Sequence, residues 1–141
     1  MILLDTDHLS ILINAKAAKH HELHQRLRSS DDQIIAAPIV GLEEQCRGWL
    51  AQIHSLPKVH DQVHAYERLR DLFHYYGDWD IVPFDANAAD RFNRLRKQKV
   101  RIGTQDLKIA AIALVNNALL LSANLRDFKK VPDLRVENWL E

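Results

Sequence analysis

The chain begins MILLDTDHLS (residues 1–10), an opening that already constrains its architecture. The apolar run ILL has the length and composition of a short buried strand. Two acids, Asp5 and Asp7, follow at once with Thr6 between them. A buried carboxylate is costly unless it is paired, hydrogen-bonded or bound to a metal. Two acids at the tip of one buried strand therefore predict a site with a chemical purpose.

Short apolar runs recur along the chain and alternate with segments of helical spacing. The predicted strands are residues 2–4, 33–38, 79–84, 118–124 and 134–139. Strands that alternate with helices predict an α/β/α sandwich with a short, mainly parallel central sheet of about five strands. Between the second and third strands, residues 39–76 predict a helical arm. A length of 141 residues predicts one domain over residues 1–141.

Several helix starts carry residues that can cap them. We expect Thr6 or Asp7 to cap the first helix, and Asp85 to cap the helix after the third strand. Thr104 is the expected cap of the next helix, whose segment DLKIAAIALVNN (106–117) is almost wholly apolar. An apolar surface on all sides predicts that this helix is buried.

Composition narrows the possible partners and compartments. Lys plus Arg equals Asp plus Glu at 19 each, so net charge exerts no overall pull toward nucleic acid or membrane. Any nucleic-acid site must therefore come from local clustering, for which RLRKQKVR (94–101) is the candidate. The single cysteine, Cys46, excludes an internal disulfide and predicts a cytoplasmic protein. The opening apolar run is too short for a signal peptide or a membrane span.

Acids and amides also stand at other element ends. Glu43 and Glu44 follow the second strand, Asp106 begins the apolar helix, and Asn124 and Asp127 follow the fourth strand. Ligands of parallel α/β sheets bind at the carboxyl ends of strands. If the first and fourth strands are neighbours, these groups converge on the first strand's acids. Repelling carboxylates need a cation, and ligands that are all oxygen favour Mg²⁺ or Mn²⁺ over zinc.

Each of these acids also has a purely structural explanation. Asp7 can be a helix cap, Asp106 can favour the helix dipole, and Asp127 can pair with Arg126. Only one of Glu43 and Glu44 can face the site, because neighbours on a helix point about 100° apart. For the whole set of acids a purely structural explanation is weaker, because it must account for each acid independently.

Four stretches carry a family resemblance, in the order LLDTDHLSIL, IVGLEEQCRGWL, RIGTQDLKIAAIAL and LLLSANLRDFKKVPDLRVENW. They resemble the PIN domains, and within them the VapC toxins of bacterial toxin–antitoxin systems. The resemblance implies a PIN-like fold and a Mg²⁺-dependent ribonuclease, with Mn²⁺ as an alternative metal. It also implies an antitoxin that holds the enzyme inactive, and often a homodimer.

The resemblance also implies roles for individual residues. Asp5, Glu44 and Asp106 correspond to the family's acids, and Asn124 stands at the fourth catalytic position. The implied metal ligands are Asp5, Glu44 and Asp106, with Asn124 or Asp127 completing the shell. For RNA, the expected contacts are Thr6, Arg101, Lys108 and Arg126.

Two other functions are open to the sequence. LLDTD also fits the hydrophobic-D-x-D opening of haloacid-dehalogenase-type phosphatases, in which Asp5 would be a nucleophile and Asp7 a general acid. The late strand lacks the adjacent acids of that chemistry. Asn124 supports a different alternative, a degenerate PIN domain that only binds RNA or a protein.

An antitoxin needs a binding surface. Residues 9–28 and 39–76 carry more apolar and aromatic positions than one small sheet can cover, which predicts a groove for an antitoxin helix. The alternative is that these positions pack the helical arm itself or a homodimer face. The candidates are Trp49, Leu50, Tyr66, Leu69, Phe73, Tyr75 and Tyr76.

Overall fold

Five short parallel strands form one central sheet in the computed structural model, which describes residues 1–141. The strands are β1 (Ile2–Leu4), β2 (Ile35–Pro38), β3 (Asp80–Val82), β4 (Leu119–Leu121) and β5 (Arg135–Glu137). Their order across the sheet is β3-β2-β1-β4-β5, and every neighbouring pair is parallel. The predicted strands are confirmed: β1 has the predicted bounds, and the other four are somewhat shorter than their apolar runs.

Seven α-helices cover the sheet. They are α1 (Thr6–Ile13), α2 (His20–Arg28), α3 (Ile39–Ser55), α4 (Val63–Tyr76), α5 (Ala86–Lys97), α6 (Thr104–Val115) and α7 (Leu125–Phe128). A 3₁₀ turn over Val59–Gln62 joins α3 to α4, and these two helices form the predicted arm. Every helix is too short or too polar to span a membrane.

Two of the three cap predictions are wrong. Asp5, with extended backbone angles, is the N-cap of α1 and accepts a hydrogen bond from the Thr6 N–H. Gly103 precedes α6 without a side-chain cap, because Thr104 is already its first helical residue. Asp85 caps α5 as predicted, through a hydrogen bond from the Ala88 N–H.

The sheet is buried on both faces, as expected for parallel strands between helices. Side chains alternate along β1, so Leu3 packs into the core under α5 and α6, while Ile2 and Leu4 pack into the core under α1, α2 and α4. Most of α6 is buried, which confirms the prediction from its apolar segment. These two cores fix the helices that present the polar groups at the sheet edge.

The strand order brings the predicted polar groups together. β1 lies between β2 and β4, so the chain builds one half of the sheet before it crosses to the other side of β1. Such a switch point leaves a crevice at the carboxyl ends of the strands. Leu4 is in register with Leu121, so the residues that follow them, Asp5 and Ser122, lie at the same edge of the sheet.

Candidate functional site

Asp5 lies at the centre of this edge, directly after β1. Its two carboxylate oxygens accept hydrogen bonds from the Thr6 N–H at 2.9 Å and from the Ser122 hydroxyl at 2.8 Å. Burial raises the pKa of Asp5, and the charges of Asp7 and Asp106 raise it further against these two hydrogen bonds. Asp5 is thus held in place but is not neutralised by any cation.

Asp7 lies at the same strand end but in different surroundings. One oxygen accepts hydrogen bonds from the backbone N–H and the ring Nδ1 of His8, and the other accepts from the Ala123 N–H at 2.9 Å. Burial acts to raise the pKa of Asp7, but the hydrogen bonds from His8 and Ala123 outweigh it and lower the pKa. Asp7 therefore holds the loop after β4 against the start of α1.

His8 is completely buried and links Asp7 to the end of the chain. The Trp139 backbone N–H donates to its Nε2 at 3.0 Å, so Nε2 accepts with its lone pair and Nδ1 carries the proton that it donates to Asp7. The sequence reasoning gave His8 no role. Its only available signal was its place one residue after Asp7, on the inner side of an amphipathic helix.

Glu43 and Glu44 are neighbours on α3 with different partners. Glu43 forms an ion pair with Arg47 and accepts a hydrogen bond from Gln105 at 2.9 Å. The hydrogen bond from Gln105 lowers the pKa of Glu43, with help from the charges of Arg47 and Lys108. Burial raises the pKa of Glu44, and the charges of Asp5 and Asp106 raise it further. Glu44 is therefore the member of this pair that faces the other acids.

Asp106 stands in the first turn of α6, beside the short helix α7. The Asn124 amide donates to Asp106 at 3.1 Å and to Asp127 at 3.2 Å, so it bridges the two acids. Burial and the charge of Asp127 raise the pKa of Asp106 despite the hydrogen bond from Asn124. Hydrogen bonds from Asn124 and Lys130 lower the pKa of Asp127.

The six acids thus fall into two groups. In one group, the pKa of each carboxyl is raised by burial and by neighbouring acids; we call these the inner acids, Asp5, Glu44 and Asp106. In the other group, nearby donors or cations lower the pKa; we call these the outer acids, Asp7, Glu43 and Asp127. The inner acids repel one another, which is unfavourable unless a cation joins them.

The donor set of the inner acids fits a hard divalent cation. All donors are carboxylate oxygens, which suit Mg²⁺ and Mn²⁺ rather than zinc. No group of three or more His, Cys, Asp or Glu side chains is arranged to bind one ion jointly. One or two direct carboxylate ligands with water completing the shell is the usual arrangement for Mg²⁺ in proteins. The site is therefore compatible with an ion held partly through water.

The predicted RNA contacts are not buried and are not neutralised by acids. Arg101 and Arg126 are exposed, Lys108 is half-buried, and none of the three forms an ion pair. Thr6 is half-buried at the start of α1, with its hydroxyl close to the backbone of Gly41. Three cations without acidic partners are free to contact phosphate.

Ser122 is a site residue to which the sequence analysis assigned no role. It is completely buried, donates to Asp5 and accepts from the Asn124 N–H at 3.0 Å. This single hydroxyl connects the end of β1 to the loop after β4. A polar residue that continues an apolar strand was the only signal for it.

The predicted groove is only partly exposed. Leu50, Tyr66 and Phe73 are 45%, 55% and 58% exposed on the helical arm. Tyr76 is buried and its hydroxyl accepts a hydrogen bond from Gln45, so its assignment to the groove is wrong. It belongs to the core under α4, because the last turn of α4 packs against the sheet.

Comparison with known proteins identifies the family and the relatives that the chain resembles. The PIN domain family matches residues 2–134. Ribonuclease VapC of Rickettsia bellii is 29% identical over 139 residues, which are 96% of this chain and 93% of that protein. Ribonuclease VapC2 of Rickettsia felis is 36% identical over 64 residues, and this alignment covers 43% of the chain and about half, 48%, of that relative.

Solved structures show the same fold over the whole chain. The VapBC2 complex from Rickettsia felis, bound to a promoter DNA fragment, matches with a TM-score of 0.69 and 26% identity over 99% of both chains. VapBC-1 from nontypeable Haemophilus influenzae matches with a TM-score of 0.73 and 20% identity over 100% of both chains. The predicted α/β/α architecture with its parallel sheet is therefore confirmed.

Proposed function

The chain belongs to the PIN domain family, and from this premise we propose that it is a divalent-cation-dependent ribonuclease that cleaves within RNA chains. The observation that carries the proposal is the group of inner acids, which repel one another at the carboxyl edge of the sheet. Relatives in Rickettsia are named ribonucleases, and one in Salmonella typhimurium is named a tRNA(fMet)-specific endonuclease. These names support RNA as the substrate.

Asp5, Glu44 and Asp106 would hold Mg²⁺ or Mn²⁺, directly or through water. Such an ion supplies an activated water at neutral pH and stabilises the charge that develops on the leaving oxygen. Ser122 fixes the orientation of Asp5 by its hydrogen bond. Asn124 donates to Asp106 and Asp127 together, so it sets the position of one inner acid and relieves part of the repulsion between the two. Asp127 remains a predicted ligand of the outer shell.

The phosphate would meet the start of α6. No side chain caps this helix, so the N–H groups of its first turn point toward the site without intrahelical partners. Lys108, one turn further along α6, and Arg126, next to Asp127, would provide cations for the phosphate. Backbone contacts of this kind bind RNA without reading its sequence.

The test is cleavage of a labelled pool of cellular RNA in Mg²⁺ and in Mn²⁺, with a chelator as control. We expect discrete products with either metal and none with the chelator. A chain that binds RNA equally with and without metal and never cleaves it would instead support the binding-only alternative.

We further propose that the chain is the toxin of a toxin–antitoxin pair, since its structural neighbours include VapBC complexes. Exposed Leu50, Tyr66 and Phe73 would receive an apolar helix of the antitoxin, or the matching face of a second copy in a homodimer. Co-expression with the product of the neighbouring gene tests the first arrangement. Retention of that partner by Tyr66→Ala and Phe73→Ala would exclude this surface.

A further inference from the structure

On each of two helices, one residue of an adjacent pair belongs to the inner acids and the other points to the neighbouring surface, which we call the flank. On α3, Glu44 faces the inner acids and Glu43 faces away toward Gln105. On α6, Asp106 joins the inner acids while its neighbour Gln105 bonds to Glu43. The flank is therefore built by the same two helix turns that build the site. Anything bound on the flank would lie beside the inner acids, where the proposed function places the phosphate.

The flank contains a surface cavity of about 200 Å³, which we call the side cavity. Its lining combines an apolar wall with a charged rim. The lining residues are Ile39, Val40, Glu43, Phe84 and Lys108. Apolar walls with a few fixed polar groups are typical of sites for small planar ligands.

Polar groups on the rim are oriented before any ligand arrives. Glu43 holds Arg47 by an ion pair and Gln105 by a hydrogen bond, which fixes both donors at the rim. Lys108 lies 5.9 Å from the centre of the Phe84 ring and lowers the pKa of Glu43 without an ion pair to it. The lining thus offers one cation, Lys108, and one carboxylate acceptor, Glu43, around the Phe84 ring, with Arg47 and Gln105 bonded to Glu43 just outside the lining.

We propose that the side cavity binds one unpaired nucleobase of the RNA, next to the phosphate at the inner acids. This inference rests on the proposed ribonuclease function and adds to it a base-binding subsite beside the acids. Phe84 supplies a stacking surface, and Gln105 and Glu43 supply a donor and an acceptor for base edges. Unpaired bases are recognised in this way, by stacking on aromatic side chains together with hydrogen bonds to their edges. A base inside a duplex cannot reach such a cavity without leaving its stack.

The experiment compares Phe84→Leu with Phe92→Leu. The ring centres of Phe84 and Phe92 lie 6.4 Å apart in an edge-to-face pair, so either change removes that pair. Only Phe84 lines the side cavity. The probe is a single-stranded RNA that carries a fluorescent adenine analogue, titrated in EDTA. Stacking quenches the analogue, and the chelator removes any contribution from metal or cleavage. Far-ultraviolet circular dichroism and unfolding midpoints confirm that both variants are folded.

We expect wild type and Phe92→Leu to bind within about twofold of each other, and Phe84→Leu to bind about tenfold more weakly. Gln105→Ala, which loses a single hydrogen bond to Glu43, should weaken binding about threefold. A probe with the analogue base-paired in a stem should show no quenching. Equal affinities for the two phenylalanine variants, or no quenching by wild type, would overturn the side cavity as a base site. Cleavage of RNA in Mg²⁺ is measured separately, so failure of the ribonuclease proposal is recognised on its own.

Discussion

The inner acids and the outer acids share one edge of the sheet but differ in how their charge is balanced. Each outer acid has a local donor or cation: His8 for Asp7, Arg47 for Glu43, and Lys130 for Asp127. Asp5 and Asp106 accept hydrogen bonds from neutral groups and Glu44 accepts none, and the pKa of each is raised by burial and by other acids. An acid whose donors outweigh its burial stabilises the fold at neutral pH, and acids that raise one another's pKa are candidate ligands for a cation.

This contrast separates residues that look alike in the sequence. Asp5 and Asp7 are two positions apart, and Glu43 and Glu44 are adjacent. In each pair one member is balanced and the other is not. The predicted metal site therefore uses one acid from each pair, while its neighbour fixes the surrounding structure.

The largest expected effect comes from removing an inner acid. Asp5→Asn and Asp106→Asn should each lower Mg²⁺-dependent RNA cleavage by about 100-fold or more, since a metal in such a site contributes several kcal/mol to transition-state stabilisation. Circular dichroism should show an unchanged fold. Cleavage by either variant at a rate near that of wild type would remove that residue from the set of ligands.

Glu44→Gln and Glu43→Gln form a matched pair on the same helix turn. Glu44→Gln should lower cleavage by about tenfold or more, because a ligand is lost. Glu43→Gln should change the cleavage rate at saturating RNA little, because Glu43 faces Arg47 and Gln105. A greater loss in the Glu43 variant would reverse the assignment of the two residues.

Removing the charge of an outer acid and removing that of an inner acid should change the free energy of unfolding in opposite directions. Asp7→Asn replaces a carboxylate that accepts hydrogen bonds from His8 and Ala123, and should lower the free energy of unfolding at pH 7 by about 1–2 kcal/mol. Asp106→Asn removes a repelled charge and should raise it, by a few tenths to about 1 kcal/mol because solvent screens a half-buried group. Urea denaturation without metal measures both.

The pH dependence of these two changes follows from their pKa shifts. The pKa of Asp7 is lowered in the folded protein, so its contribution is present above the unfolded pKa and is lost as pH falls through the folded pKa. The pKa of Asp106 is raised, so folding is favoured most below the unfolded pKa and this advantage is lost as pH rises through the folded pKa. Both variants should therefore approach wild-type stability in acid. A stabilisation by Asp106→Asn that persists in acid would show that repulsion is not its cause.

The smallest effect is expected from replacing Lys130, a surface cation that pairs with an outer acid. Lys130 forms a 3.4 Å ion pair with Asp127 on the surface, and exposed pairs of this kind contribute little. Lys130→Ala should leave the melting temperature and the cleavage rate at their wild-type values. A clear loss of activity would place Lys130, and Asp127 with it, closer to the reaction than the structure indicates.

Sequence alone predicted most of the architecture, because apolar runs and helical spacing are local signals. The positions of the five strands and the burial of α6 are examples. The sequence already selected Glu44 over Glu43 as the candidate ligand, but the hydrogen bond that holds Glu43 depends on where Gln105 lies in space, and the burial of His8 depends on a contact with Trp139. Tyr76 was misplaced because helical spacing does not show which turn of α4 packs on the sheet. Contacts between distant segments of this kind leave no pattern in a single sequence.

Calorimetric titration of the wild-type protein with Mn²⁺ near pH 6, in two buffers of different ionisation enthalpy, tests most directly whether the inner acids form a cation site. Because burial and neighbouring acids raise the pKa of each inner carboxyl, protons that these groups carry pass to the buffer when Mn²⁺ binds. We expect saturable binding with proton release in wild type, and loss of both in Asp106→Asn but not in Glu43→Gln. No saturable binding by wild type, or equal binding by Asp106→Asn, would contradict the account.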